Sequence, residues 1–536
     1  MKVLLIVPRY NLTNTKNYNY VFPLGLAYIS SAIKNAGYKL DCINLNHLDG
    51  RISEIVNKKL SLIKYDYVCT GHMCIGYHVI KEIFSSVKSH QTHPKIILGG
   101  AIITSEPEYM FNLLEPDFGI LGEGEITIVE LLKCLKEKKD LSKVKGIIYK
   151  DNKGKLLITE PRPVIEDLDT LPLPDFEGFE FEEKLNNSCS NDSYTNNLHN
   201  YPRPYPLLCS RSCPYQCTFC YHPLGRKYRK RSIKHVMEEL EIALKKYKIN
   251  AIEIYDDLFS VDKERLYEFC KEIKELVSKF SWKCTWSCQL AVNNVDEEML
   301  NILKDSGCNI ISYGFESMNK IVLKSMQKPI TPQQINNAIL LTMKNGLNIQ
   351  GNFIFGDIAE TRETAYKTLN YWKKNSKGQI SLDFIQPYPG SKIYEHCIKK
   401  GIIKDKFNFI ENISDRYFLN MTDKMNDDEI QQLKKDILKA MEKYRKSVTY
   451  LSLKKKGKEI YKIKAKCPFC KKLITYNNFR IENRFYFSHF MICKNCKFRF
   501  GINSPLKTII KKIYPSAYPL MAFYVKFKRN IQKKRV

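Results

Sequence analysis

The chain opens with five apolar residues in a row, Val3–Val7, flanked by Lys2 and stopped by Pro8. A run that short and that continuous predicts a strand buried on both faces. Leu24–Ala36 (LGLAYISSAIKNA) then spaces its apolar residues as one helix face does, and Lys39–Leu45 returns to strand patterning. Tyr67–Thr70 and Lys95–Leu98 repeat the theme, the latter ending at Gly99-Gly100. Phe118–Leu121 is a fifth short run, passing into Gly122-Glu-Gly-Glu125 and a helix from Thr127. Strand–helix alternation with short turns predicts a parallel, doubly wound sheet over residues 1–150. Ligands of such sheets sit at the carboxyl ends of the strands, where these glycines fall.

The pattern breaks at residues 151–205. Acidic, Pro-rich text (IEDLDTLPLPDFEGF) gives way to LNNSCSNDSYTNNLHN, which offers little apolar surface to bury and predicts a linker. Alternation resumes with strands expected at Leu207–Cys209, Ala251–Tyr255, Lys283–Cys288, Ile310–Phe315, Leu347–Phe355 and Ile380–Ile385, and amphipathic stretches between them. Six strand-then-helix repeats over 206–425 suggest a partial parallel barrel. A charged helical connector follows at 426–462, then a small Cys-containing module at 463–503 and a basic tail at 504–536 with nine Lys/Arg and no acid.

Composition narrows the class. With 44% hydrophobic and 27% charged residues and no apolar run near the roughly 18 a spanning helix needs, the chain reads as a soluble globular protein. The apolar start is too short for a signal peptide, so a cytoplasmic location is expected. A reducing compartment turns 18 cysteines away from disulfides and toward metal binding and buried thiols. The formal charge of +29 is read first as lysine-rich composition, next as an anionic substrate or membrane surface, and last as nucleic-acid binding.

At that cysteine content a single C-x2-C arises by chance roughly 0.6 times in such a chain, so only longer patterns carry weight. Cys213, Cys217 and Cys220 form C-x3-C-x2-C directly after the first expected barrel strand. Three thiolates leave one iron of a [4Fe–4S] cluster without a protein ligand, open to a small molecule. The competing structure is zinc with a fourth ligand from Cys209 or His222.

These residues resemble the cluster motif of radical S-adenosylmethionine enzymes. The resemblance implies that the open iron binds S-adenosylmethionine, and that one electron cleaves it to a 5′-deoxyadenosyl radical. It places Phe219 by the adenine, Asp256 and Asp257 (in IEIYDDLF) by the cofactor's ammonium group, and Glu316 and Ser317 (in ISYGFES) near the cofactor. NFIFGDIAET at 352–361 is similar to the family's Gly-Leu-Pro-Gly-Glu-Thr turn, with Ile358 and Ala359 replacing Pro and Gly, and QPYPGSKIYE at 386–395 is similar to a segment after the sixth strand.

The front end, with FPLGLAYISSAIKNAGY, LGGAIITSEPEY and GILGEGEITIVELL, resembles the Rossmann-like cobalamin-binding domain that precedes many of these barrels. Thr70, Gly71, Gly99 and Gly100 are the residues that would line its corrinoid. The family's Asp-x-His-x-x-Gly is missing from PRYNLTNTKNYNY, so no protein ligand to cobalt is expected; His47 is read as a loop residue. A domain of this fold that has lost its cofactor is the alternative.

Cys467-Pro-Phe-Cys470 and Cys493-Lys-Asn-Cys496 are two knuckles around a hairpin-like stretch, as in a zinc ribbon. A module of roughly 40 residues needs such a staple, with a second iron–sulfur cluster as the alternative. The resulting expectation is an α/β protein: a Rossmann-like cobalamin domain, a (β/α)6 partial barrel and a zinc-ribbon-like module. Its reaction would be methyl transfer to an unactivated carbon, fed by an electron donor such as flavodoxin or ferredoxin. The substrate would be a small molecule or lipid- or glycan-linked, and the tail would meet an anionic membrane. Cyclisation or rearrangement, RNA modification, and a non-enzymatic sensor are the rival readings. No residue is singled out as a catalytic acid or base.

Overall fold

The structure, a computed structural model, describes residues 1–10, 13–413 and 419–513, and the strands counted here are of those residues. The chain forms two compact units: Met1–Lys184 with Ser210–His235 and Gln386–Met421, and Leu185–Cys209 with Val236–Ile385 and the chain from Thr422.

The first unit is built on a seven-stranded sheet of β1 (Lys2–Val7), β2 (Lys39–Asn44), β3 (Tyr67–Gly71), β4 (Lys95–Gly99), β5 (Phe118–Ile120), β6 (Ile147–Lys150) and β7 (Leu156–Ile158). Its order is β2-β1-β3-β4-β5-β6-β7. The first five strands are parallel, with Val3 beside Tyr67 and Val68 beside Ile96. The last two are antiparallel. Val3 to Ile6 have no exposed surface, as an unbroken apolar run in a parallel sheet requires.

Two short strands, β8 (Pro204–Leu207) and β9 (Ser210–Arg211), lead from one unit into the other, and β9 pairs antiparallel with β10 (Arg229–Lys230) in the first unit. In the second unit β8 is followed by β11 (Ala251–Ile254), β12 (Thr285–Leu290), β13 (Cys308–Glu316), β14 (Asn348–Phe355) and β15 (Ser381–Phe384). All pairings among these six are parallel and the spatial order is the chain order, the topology of a singly wound partial barrel. The first strand begins three residues earlier than Leu207–Cys209, because the prolines of PYPL, poor strand formers, occupy an edge strand where no partner needs their missing N–H.

The expected connector is helical only over Asp427–Tyr444; the rest belongs to the Cys module. That module comprises β16 (Ser447–Thr449), β17 (Ser452–Lys455), β18 (Ile460–Lys466), β19 (Leu473–Arg480), β20 (Ser488–Ile492) and β21 (Arg499–Asn503), in two three-stranded sheets. The lysines of SLKKKGKEIYKIKAK made the start read as a charged helix, whereas they alternate with Leu453, Ile463 and Ala465, which turn toward the module core. A helix, Pro505–Ile513, follows; residues 514–536 of the expected tail lie outside the described residues.

The module covers the amino ends of the barrel strands. Asn348 at the start of β14 donates to the Lys497 carbonyl at 2.6 Å, the Arg499 guanidinium donates to the Ile349 carbonyl at 3.2 Å, and Gln379, just ahead of β15, exchanges two hydrogen bonds with the Arg499 backbone.

Residues 151–205 are not a linker. Phe176, Phe179 and Phe181 pack with Phe22 in the first unit. In the second, the polar Asn/Ser stretch is fixed by hydrogen bonds rather than apolar burial. Ser190 N–H donates to Asn478, Asn191 bridges both backbone groups of Arg480, and Asn197 accepts from Ile492 N–H at 2.9 Å while donating to Ser193. Asn197→Ala, which orphans a buried N–H, is therefore expected to lower stability by about 1–3 kcal/mol in denaturant unfolding, where a linker residue would change nothing.

Candidate functional site

Chain order reverses between β1 and β3 of the first unit, so the crevice at their carboxyl ends is the topological switch point of the sheet. Thr70 and Gly71 end β3 there, and Gly99 and Gly100 lie beside them at the end of β4. The four differ in what they offer. Thr70 is 3% exposed and its hydroxyl donates to the Ile6 carbonyl at 2.9 Å, so it clamps β3 to β1. A Cβ on Gly71 would stand 2.8 Å from the Gly99 carbonyl oxygen, and one on Gly100, at φ +84°, would stand 2.9 Å from that of His72. These two glycines let backbones approach. At Gly99 an added Cβ would meet no atom of the described residues within 4 Å, so the residue leaves open floor. A glycine floor at a switch point fits a large planar group with a tail, as a corrinoid is.

His47 is held away from any such role. Its ring is buried, with one nitrogen 2.8 Å from Glu180 and the other 2.9 Å from the Tyr20 hydroxyl. The loop after β1 is organised by Arg9, whose guanidinium donates to the carbonyls of Leu45, Leu48, Thr13 and Gly50.

Cys213, Cys217 and Cys220 sit on the loop between β9 and β10, in the same unit as the glycine floor. Cys217 is buried, Cys213 half-buried and Cys220 exposed, and the Cys217 carbonyl accepts from Cys220 N–H in a tight turn. Phe219 is half-buried. Tyr221, next along, lies on Gly390, where a Cβ would come within 2.4 Å of its ring; this is what the Gly of the PYPGS segment permits.

The neck of that loop is an ion-pair clasp. Arg211 on β9 meets Glu123 at 2.7 Å and Glu125 at 2.6 Å, and Arg229 on β10 meets Glu123 at 2.7 Å. All four side chains are 7% exposed or less. Ile165 N–H donates to Glu123 and the Ile165 carbonyl accepts from Arg229, so the charges are hydrogen-bonded as well as paired. Burial alone would raise the Glu123 carboxyl; Arg211, Arg229 and Ile165 N–H together hold it below the usual carboxylate range. The sequence signalled half of this. Gly122-Glu-Gly-Glu125 stood out as a motif, but nothing in a linear pattern pairs it with arginines some 90 and 105 residues away.

In the second unit the sequence-derived residues lie at the carboxyl ends of the barrel strands and do different jobs. Asp256, fully buried, accepts from Cys209 N–H at 2.7 Å and so fixes the backbone that leaves β8. Asp257 beside it is exposed. Glu316 is paired with Lys328 at 3.0 Å, in a left-handed conformation at the end of β13; Gly314 makes room, since a Cβ there would meet both charged groups. Ser317 is buried, with its hydroxyl against Thr368 and accepting from Asn319 N–H.

Glu360, inside a segment quoted for its resemblance, was not itself singled out. It has no exposed surface; one carboxyl oxygen accepts from Gly356 N–H at 2.6 Å and the other has no hydrogen-bond partner among the described residues. Burial pushes its carboxyl up to about 8, with the Gly356 N–H opposing and Asp357 adding to the rise. An orphaned oxygen at the carboxyl end of β14 marks a place where a polar partner is wanted.

The C-terminal cysteines are gathered. The Sγ atoms of Cys467, Cys470, Cys493 and Cys496 all lie within 4.8 Å of one another, with Cys467–Cys496 and Cys470–Cys493 at 3.7 Å. The two knuckles are alike: each first cysteine accepts from a lysine N–H four residues on, and both lysines, Lys471 and Lys497, have φ +62°. A single tetrahedral ion with metal–sulfur bonds of about 2.3 Å puts thiolates roughly 3.8 Å apart, whereas a cubane must spread them over four irons. The geometry fits one ion.

Two family models match parts of the chain. Residues 207–371 match the model of the radical SAM superfamily and residues 11–132 that of the B12 binding domain. An uncharacterized methyltransferase of Pyrococcus horikoshii is 28% identical over 75% of this chain and 84% of its own length. An anaerobic magnesium-protoporphyrin IX monomethyl ester cyclase of Rubrivivax gelatinosus is 27% identical over 77% of this chain and 73% of its own. Among solved structures, a radical S-adenosylmethionine methyltransferase of Kitasatospora setae, TsrM, superposes with a TM-score of 0.60 over 75% of this chain and 77% of its own, at 16% identity, a likeness of fold.

Two substitutions test the site's electrostatics. Glu123→Gln leaves Arg229 underpaired and is expected to destabilise the protein by about 3–5 kcal/mol in denaturant unfolding. Because the folded carboxyl is depressed, the wild-type contribution is complete above its ordinary value of 4.5 and is lost as pH falls further; the variant should lack that acid limb. Glu360 has the opposite sign: its folded value is raised, so stability is complete below 4.5 and is lost as pH climbs toward 8. Glu360→Gln should flatten the decline in urea midpoint between those two pH values.

Proposed function

The chain carries a B12-binding domain and a radical SAM domain, and we propose that it transfers a methyl group to an unactivated carbon of a small-molecule, lipid-linked or glycan-linked substrate. The observation that carries this reading is that the cysteine loop and the glycine floor are parts of one folded unit, with the neck of the loop bound to Glu123 and Glu125. When bound, an iron–sulfur cluster with S-adenosylmethionine would supply a carbon-centred radical, and a corrinoid would supply the methyl group.

The chain's own residues have narrower tasks. Cys213, Cys217 and Cys220 would hold three irons, and Phe219 would lie along the adenine. Asp257, exposed at the end of β11, would accept from the ammonium group of S-adenosylmethionine, with Asp256 fixing the β8 exit behind it. Glu316 and Ser317 would shape the neighbouring strand end through Lys328 and Thr368. Gly99 would floor the corrinoid, with Thr70, Gly71 and Gly100 fixing the strand ends around it. Cys467, Cys470, Cys493 and Cys496 would bind one zinc as a staple for the module. An electron donor of the flavodoxin or ferredoxin type, a cytoplasmic location and contact of the C-terminal region with a membrane complete the proposal. No helix among the described residues is long and apolar enough to cross a membrane.

The name of the Pyrococcus relative supports methylation, and that of the Rubrivivax relative makes ring closure the competing outcome. The test is metal and corrinoid content after anaerobic purification, reconstitution with iron, sulfide and hydroxocobalamin, and desalting. We expect about four irons, one cobalt and one zinc per chain. Replacing Cys213, Cys217 and Cys220 by alanine should remove the irons and abolish 5′-deoxyadenosine formation, leaving cobalt and zinc in place. Loss of cobalt from the wild type on desalting would sink the methyl-transfer reading. About eight irons without zinc would reassign the C-terminal cysteines to a second cluster.

A further inference from the structure

Charge is not spread along this chain. Residues 443–536 hold 26 Lys and Arg against two acidic residues, while the remaining 442 hold 60 against 55. A general taste for lysine does not produce that segregation: nearly the whole formal charge of +29 belongs to the Cys module and the sequence after it.

Within the module the cations have a place. The outward side of β17-β18-β19 presents Lys454, Lys462, Lys464 and Lys466, with Ser452, Thr475 and Leu473 as their cross-strand neighbours and no acid among them. Lys454 lies directly opposite Lys462, a pairing that opposes sheet stability unless something negative covers it.

The helix Pro505–Ile513 adds the second observation. A surface helix ordinarily turns its apolar stripe to the protein. This one is inverted. Thr508 hydrogen-bonds Thr449 at 2.8 Å, Lys507 lies over the Tyr486 ring, and Lys511 reaches Glu442, so its polar side faces the module. Leu506, Ile509 and Ile513, spaced to form one stripe, are 45%, 51% and 61% exposed. The segment that follows, 514–536, carries six Lys and Arg and no acid, and so adds to the positive charge of this part of the chain.

We propose that the Cys module is a docking element for an anionic bilayer surface. The Leu506/Ile509/Ile513 stripe enters the headgroup boundary, and the lysines of β17 and β18 supply the attraction to anionic lipid. Aliphatic side chains beside lysines suit a lipid interface, where burial of apolar area and attraction to headgroups act together. The stripe itself is aliphatic and offers no planar surface on which a base could stack. The inference rests on charge and exposure alone and holds whatever reaction the barrel performs.

The test is sedimentation of the full-length protein with vesicles of phosphatidylcholine containing about 30% phosphatidylglycerol, against phosphatidylcholine alone. Binding is expected only to the anionic vesicles, falling as salt is raised. Ile509→Asp with Ile513→Asp should weaken it at least roughly 10-fold, and Lys462→Gln with Lys464→Gln and Lys466→Gln by roughly 5-fold per lysine, about 100-fold together. Both variants alter outward-facing side chains, and an unchanged melting temperature and zinc content will verify their fold. Absence of vesicle binding, equal binding to neutral vesicles, or wild-type binding by either variant would overturn the proposal. So would a dimer in light scattering that only the isoleucine variant dissolves, or a tighter complex with an oligouridine probe that the isoleucine variant leaves intact. In every case 5′-deoxyadenosine formation by the detergent-free protein should be unchanged, which separates failure of docking from failure of the proposed chemistry.

Discussion

The buried clasp of Arg211 and Arg229 on Glu123 and Glu125 is the constraint on which the layout of the first unit depends. A loop of 17 residues, Ser212–Tyr228, spans the gap between β9 and β10, which contribute only two residues each. Two residues of ladder cannot fix so long a loop by backbone hydrogen bonds. Four buried charges can, because any shift of the neck would strip a guanidinium or a carboxylate of its partner in a medium that does not solvate it. The same carboxylates belong to the turn after β5, so the position of the cysteines is tied to the carboxyl edge of the N-terminal sheet and not only to the strand from which the loop emerges. Hydrophobic packing tolerates small slips; paired and hydrogen-bonded charges of fixed geometry tolerate far fewer.

Sequence patterning revealed the parts of the fold whose physics is local. Unbroken apolar runs became parallel strands, and the glycines ending them fell at strand ends as expected of a doubly wound sheet. The alternation from β11 to β15 was legible for the same reason. What was not legible depends on partners distant in the chain. The Asn/Ser-rich stretch around Cys189 read as a linker because it has little to bury; its order comes from donors and acceptors on β19 and β20, nearly 300 residues away. The start of the Cys module read as helix because lysines masked a period-two pattern whose inward side, Leu453, Ile463 and Ala465, is slight.

The candidate site divides in the same way. Cys213, Cys217 and Cys220, and the two C-terminal knuckles, are spacing motifs, and spacing is visible in one dimension. The residues named for S-adenosylmethionine were motif positions as well, but a motif gives a location and not an orientation. Asp256 and Ser317 are turned inward to hold backbone, Glu316 is matched to Lys328, and only Asp257 of that set is exposed. Glu360 escaped notice because an acidic residue before a helix is ordinary in sequence; what distinguishes it is complete burial with one oxygen unmatched, a property of the folded surroundings alone.

Strand direction then separates chemistry from support in the second unit. Asp256, Asp257, Glu316, Ser317 and Glu360 all lie at the carboxyl ends of their strands, the end at which parallel α/β proteins bind ligands. Asn348, Ile349 and Gln379, which receive the Cys module, lie at the amino ends. A module fixed to the amino ends cannot line a pocket at the carboxyl ends of the same strands, since each strand stands between them. Its four cysteines, gathered within 4.8 Å of one another, therefore stand on the side of the strands away from that pocket. Its excess positive charge and its outward apolar stripe are what the proposed bilayer contact would use, while the rest of the chain is almost neutral.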